Sequence, residues 1–227
     1  MNPYARLRGS ITASATPARE VGAWVRDYLR PVAAGTVAAS AVRHPLGFLC
    51  FPVWRGGDLG VCLHVWTEGA RAHPTTSPMH AHSWDLLSLV LYGAVANDVF
   101  DLVESPETPT HRLFEVHSGA DGDLVRATPQ VVGYRLRSHE VFRSGEVYSL
   151  PNGVFHVSDV VGVAATVALG EYRHGKPDRS LGGLATDDHW VHRAPCTADE
   201  VRRVARTVLE QLTQPAHLEE QWDRATS

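Results

Sequence analysis

Gly145-Glu-Val-Tyr-Ser-Leu-Pro151-Asn-Gly153-Val-Phe-His156 decides the fold. It reads as a strand, a Pro/Gly turn and a second strand that opens on a histidine. Gly, Pro, Gly and His at these intervals arise by chance about 0.005 times in a chain of this composition. Upstream lies His80-Ala-His82-Ser-Trp-Asp85-Leu86, followed by Gly93. Strand residues two apart share a face, so His80 and His82 can aim two imidazoles at one point. An HxH pair alone means little, because 13 histidines in 227 residues give about 0.7 such pairs at random. The weight comes from finding both segments, in this order, in a strand-rich region.

Outward from these segments the chain alternates short β-branched or aromatic runs with turn residues. The runs are 47–53, 60–66, 85–95, 113–117, 131–136, 146–150 and 160–169. Their separators are rich in Gly, Pro, Asp and Ser, as at 55–58, 105–109, 118–122 and 143–145. Such spacing predicts an all-β sandwich or barrel. Residues 1–15 show no clear period and read as a mobile tail. Thr16-Pro17 reads as a helix start, with Val21, Trp24, Val25, Tyr28 and Leu29 on one face and Pro31 as a stop or kink. This predicts a helical segment over 16–40. Residues 170–196 read as loop. Thr197-Ala-Asp-Glu200 caps a helix over 197–213 with Val201, Val204, Ala205, Val208, Leu209 and Leu212 on one face. One domain over 1–227 is expected, with the barrel over 47–170.

Composition removes several function classes. A net charge of −4 carries no basic excess for nucleic acid. No apolar run reaches membrane-spanning length, and no signal segment is read at the start. Cys50, Cys62 and Cys196 form neither a CxxC pair nor an even framework, so free thiols in a reducing cytoplasm are expected. Lys176, the single lysine, sits in a loop-like stretch and is a poor Schiff-base candidate. No phosphate-binding glycine loop is present.

The paired segments resemble the two motifs of the cupin superfamily. The second motif is matched from Gly145 to His156, with Val160 at its final Asn position. The first is matched at His80, His82 and Gly93, with Leu86 where the family has Glu. The resemblance implies a jelly-roll barrel, a double-stranded β-helix with flanking N- and C-terminal helices, holding a divalent metal on His80, His82 and His156. Asp85 is a fourth candidate ligand, but its parity is odd relative to the histidines, so it points away unless the strand bulges. Three neutral imidazoles leave the charge of a divalent ion uncompensated and positions open for an anionic substrate. Parts of the chain also resemble the thiol dioxygenases within that superfamily. These parts are Val65-Trp66 with Gly69, Trp84 and Gly93, with an apparent insertion that includes Arg71 and Pro74. Arg55 is the nearest arginine to the substrate-binding position of those enzymes, and is displaced from it.

The resemblance implies a mononuclear non-haem Fe(II) dioxygenase acting on a small thiol or carboxylate that chelates the metal. A Zn or Ni cupin catalysing isomerisation, lysis or bond formation, and a non-catalytic binding module, are the rival readings. Tyr148, Tyr172 and His64 are the candidates for further catalytic roles. His64 shares a face with Cys62 and Trp66, where a hydrogen-bonded core histidine is the plainer reading. Trp84 and Leu86, by parity, should wall the pocket. The expected partners are a small-molecule substrate and, by resemblance, a second copy in a homodimer, with no nucleic acid or membrane. His111, His117 and His139 read as structural or solvated.

Overall fold

The computed structural model describes residues 1–67, 77–104, 107–119 and 122–214. Gly69, Arg71 and Pro74 lie outside these residues, as do parts of the turns read at 105–109 and 118–122. Among the described residues, thirteen strands form two antiparallel sheets. The first sheet is ordered β1 (Val42–His44), β2 (Phe48–Gly56), β3 (Leu59–Trp66), β11 (Ala164–Tyr172), β5 (Trp84–Tyr92) and β9 (Val147–Leu150). The second is ordered β13 (His189–Val191), β8 (Gly122–Arg143), β6 (Ala94–Glu104), β10 (Phe155–Asp159), β4 (His80–Ala81), β12 (Asp178–Gly182) and β7 (His111–Gly119). β7 also pairs with β8, so the second sheet returns on itself. The long connections between neighbouring strands make this a jelly-roll barrel, as the strand spacing predicts.

Strand parity divides the first sheet cleanly. Leu49, Phe51, Val61, Leu63, Val65, Leu89, Val167 and Leu169 face outward into one apolar cluster. Helices cover that face: α2 (Pro17–Ala33) with Val21, Val25, Leu29 and Val32, and α3 (Ala198–Gln211) with Val201, Val204, Ala205 and Val208. The alternate residues, among them Phe48, Trp66, Leu86, Val90, Ala164 and Ala168, pack inside with Val95, Tyr148 and Leu150. Each fully buried aliphatic side chain contributes about 1.5–3 kcal/mol, so the helices belong to the stable structure.

The structure corrects several readings. Residues 1–15 are not a tail. α1 spans Pro3–Ala13, is capped by the Asn2 side chain accepting from the Ala5 N–H, and buries Tyr4, Leu7 and Ile11. Those three sit at i, i+3 and i+7, a one-sided stripe in a short segment. Pro31 does not stop α2, which continues to Ala33 with the Asp27 carbonyl losing its i+4 backbone donor. The helix ends well short of residue 40, and Gly35 takes a left-handed turn at φ 74°. Thr16 precedes α2 without a side-chain cap, whereas Thr197 and Glu200 form the expected capping box.

The run 85–95 is two strands in two sheets. Gly93, at φ 73°, turns the chain from β5 to β6, and a Cβ there would lie 2.2 Å from the Val163 carbonyl oxygen. The run 160–169 is a turn followed by β11. The segment 170–196 is not all loop. It supplies the end of β11, β12 and β13, so barrel strands extend beyond 170.

Candidate metal centre

His80 and His156 face each other across the β4–β10 pair, where they are register partners. His82 lies two residues on and returns to the same side. The three rings converge, with centroids 4.3 Å apart for His80–His156, 4.6 Å for His80–His82 and 5.2 Å for His82–His156. One ring nitrogen from each lies within 4.8 Å of the others. The Gly–Pro–Gly frame supplies the approach. Gly153 takes φ 78° between the strands, and its N–H donates to the His82 carbonyl at 2.9 Å. The turn before one ligand thus fixes the backbone of another.

Backbone carbonyls set the ring orientations. His80 Nδ1 lies 2.8 Å from the Pro78 oxygen, and His156 Nδ1 lies 3.1 Å from the Val154 oxygen. A carbonyl only accepts, so Nδ1 carries the proton in both rings and Nε2 keeps its lone pair. His80 Nε2 is 3.2 Å from His82 Nε2. Two nitrogens each about 2.1 Å from one ion, at angles of about 90–109°, are roughly 3.0–3.4 Å apart. The spacing therefore suits a shared cation. Burial holds the imidazoles neutral. It pushes His156 down to about 3, with nearby His80 adding to the effect. It also lowers His80, and lowers His82 well below the usual histidine range, where the neighbouring histidines add to it.

Asp85 does not join them. Its carboxylate accepts from the Asn152 N–H at 2.8 Å and from Arg173 at 2.7 Å. Leu86, at the position where a carboxylate ligand is absent, packs inside with Trp84. The Trp84 ring sits 4.9 Å from His82 and lies flat against Gly170, where a Cβ would meet it at 1.9 Å. Both face inward as parity put them, but of the two expected wall residues Trp84 walls the cavity, whereas Leu86 packs in the apolar core beside it.

His80 and His82 open into a cavity of about 520 Å³. Its lining includes Arg55, Tyr172, Arg179, Ser180 and the Asp123–Arg193 ion pair, 2.6 Å apart with Asp123 nearly buried. Arg55 makes no ion pair among the described residues. Tyr172 stands at the mouth, 41% exposed. Tyr148 is elsewhere, beside Phe142 and a separate cavity of about 200 Å³ with Asn97 and Val99. His64 stands apart from the three histidines, next to Cys50 and Cys62. His44 also lines the cavity, and burial lowers it well below the usual histidine range.

Sequence reasoning passed over His44, Asp178, Arg179, Ser180, Asp123 and Arg193. Ser180 is the register partner of His80 on the side opposite His156, and Asp178 accepts from the Ser83 N–H at 2.6 Å. The available signal was alternation in Asp178-Arg-Ser-Leu181, too short and polar to mark a strand. His139 pairs with Asp98 and His117 with Glu115 on the surface, as solvated histidines do.

No family model matches the chain, and no curated protein matches it. The solved structures similar to it include cupins. An RmlC-like cupin from Shewanella frigidimarina is 13% identical, with 60% of this chain and 86% of that one covered and a TM-score of 0.37. A hydroquinone 1,2-dioxygenase from Sphingomonas sp. TTNP3 with 4-hydroxybenzoate bound is 16% identical, over 54% of this chain and 64% of that one, at a TM-score of 0.32. The hydroxypropylphosphonic acid epoxidase from S. wedmorenis is 10% identical, over 54% of this chain and 50% of that one, at a TM-score of 0.31. No helix among the described residues is long and apolar enough to cross a membrane.

Proposed function

We propose that this chain is a cupin-type metalloenzyme, a mononuclear non-haem Fe(II) dioxygenase acting on a small anionic molecule. One observation carries the reading: three neutral imidazoles converge, one buried and two half-buried, while Asp85 is committed to Asn152 and Arg173. His80, His82 and His156 would hold the ion, and carbonyls of Pro78 and Val154 orient two of them. A bound iron would supply Lewis acidity and one-electron chemistry toward dioxygen.

The chain's own residues then set the substrate. No carboxylate joins the three imidazoles as a ligand, so an anion is favoured beside the metal. Arg55, unpaired among the described residues, offers a planar fork for carboxylate in the same cavity. Trp84 gives one side an apolar wall, while Tyr172 presents its hydroxyl at the mouth for hydrogen bonding. A cavity of about 520 Å³ fits a small metabolite.

The test is metal analysis of protein purified without a chelating tag, then O₂ uptake with Fe²⁺ and a panel of small thiols and acids. Substrate-dependent O₂ consumption that disappears in His156→Ala is the expected result. Tightly held zinc with no O₂ uptake on any substrate would overturn the dioxygenase in favour of Lewis-acid chemistry.

A further inference from the structure

The barrel interior holds a second cluster of ligand-type side chains, on the opposite sheet. Cys62 and His64 are two apart on β3 and share its inner face. Cys50 on β2 is the register partner of His64 and faces inward beside the same apolar cluster. The Sγ atoms of Cys50 and Cys62 and a ring nitrogen of His64 all lie within 4.8 Å of one another. Cys62 is buried, and the other two are half-buried.

The geometry points to a second metal site, at which Cys50, Cys62 and His64 bind Zn²⁺ as two thiolates and one imidazole. Donors on a tetrahedral zinc lie roughly 3.4–3.8 Å apart, so small rotations of these side chains bring the set to bonding distance. Thiolate favours a soft or borderline ion over Mg²⁺ or Ca²⁺. The charge also balances. Two thiolates and a neutral imidazole cancel the +2 of zinc, which suits an interior position among Phe48, Val90 and Ala164. Binding would release the protons of both thiols to solvent. Phe48 leans against His64 at 4.6 Å and stacks on His44, a cavity residue, at 4.4 Å, so an ion here would brace one wall of the main cavity.

The test uses the full chain, stripped of metal and kept reduced, titrated first with Co²⁺ and then with Zn²⁺. The wild type is expected to take two equivalents of Co²⁺. One of them should give an intense thiolate-to-cobalt charge-transfer absorption that Zn²⁺ abolishes. His156→Ala should lose one equivalent and keep that absorption. Cys62→Ser should lose the absorption and keep the other equivalent, with folding checked by circular dichroism. His64→Gln, which leaves both thiols in place, should weaken Co²⁺ at this site at least tenfold. No charge-transfer absorption in the wild type, with all three cysteines titrating as free thiols, overturns the site. So does a native Cys50–Cys62 disulfide. The His156→Ala arm separates either failure from failure of the three-histidine centre.

Discussion

Two clusters of side chains of metal-ligand type face the barrel interior, one from each sheet, and they are built differently. His80 and His156 are held from behind, by carbonyls of Pro78 and Val154, and His80 and His82 open onto the main cavity. Cys50, Cys62 and His64 are held by one another and sit among apolar side chains. The first set would leave a divalent ion with its charge uncompensated and positions free. The second would neutralise it. The contrast teaches that ligand charge and access decide whether a buried site suits chemistry or bracing, even when both sites share one barrel.

The largest effect should come from removing a histidine of the open cluster. His156→Ala should lower affinity for Fe²⁺ or Zn²⁺ at that centre by well over about a hundredfold, since even losing an outer-shell partner commonly costs ten- to a hundredfold. Calorimetric titration checks it, and unchanged affinity would break the assignment.

Acid should separate the clusters next. Histidines of the open cluster have folded pKa values below about 6.5, the unfolded value. The unfolded chain therefore binds more protons than the folded one as pH falls below 6.5, and stability drops. For His156 this loss runs from about 6.5 down to about 3. Each such histidine steepens the slope by up to about 1.4 kcal/mol per pH unit. Urea unfolding of metal-free protein between pH 7 and 5 should show this slope, and His156→Gln should reduce it by about one proton.

The placement of both clusters depends on the chain crossing between sheets at Gly93. Gly93→Ala meets the Val163 carbonyl and a positive φ, so it should cost about 2 kcal/mol or more, roughly 4–8 °C in Tm. Asp85→Asn should do least. It weakens a half-exposed pairing with Arg173, worth up to about 1 kcal/mol, and should leave metal content unchanged. A loss of metal in that variant would make Asp85 a ligand after all.

The open cluster was legible in the sequence because two-residue spacing and the Gly–Pro–Gly frame act locally. Gly145, Pro151, Gly153 and His156 lie within one hairpin-like unit, and its pairing with His80 follows from strand parity. The thiol cluster was not legible as a set. Cys50 meets His64 only through the register of β2 and β3, which is shifted between Pro52 and Trp54. The face shared by Cys62, His64 and Trp66 could be read, but not what lies opposite. β12 escaped notice because its cavity-facing residues are polar, and burial inside a barrel leaves no apolar run to mark it. α1 escaped because three large apolar residues in eleven give a weak period, and the fold supplies the rest. β8 was read only as its segment 131–136, since a 22-residue strand through Pro129 bends between two partners.

Anomalous diffraction from a crystal of Fe²⁺-loaded protein, recorded at the iron edge, tests the central claim most directly. The account predicts a strong iron peak at about 2.1 Å from one nitrogen of each of His80, His82 and His156, with Asp85 still bonded to Arg173. No iron on these three histidines, or iron bound there with Asp85 swung in as a ligand, would contradict it.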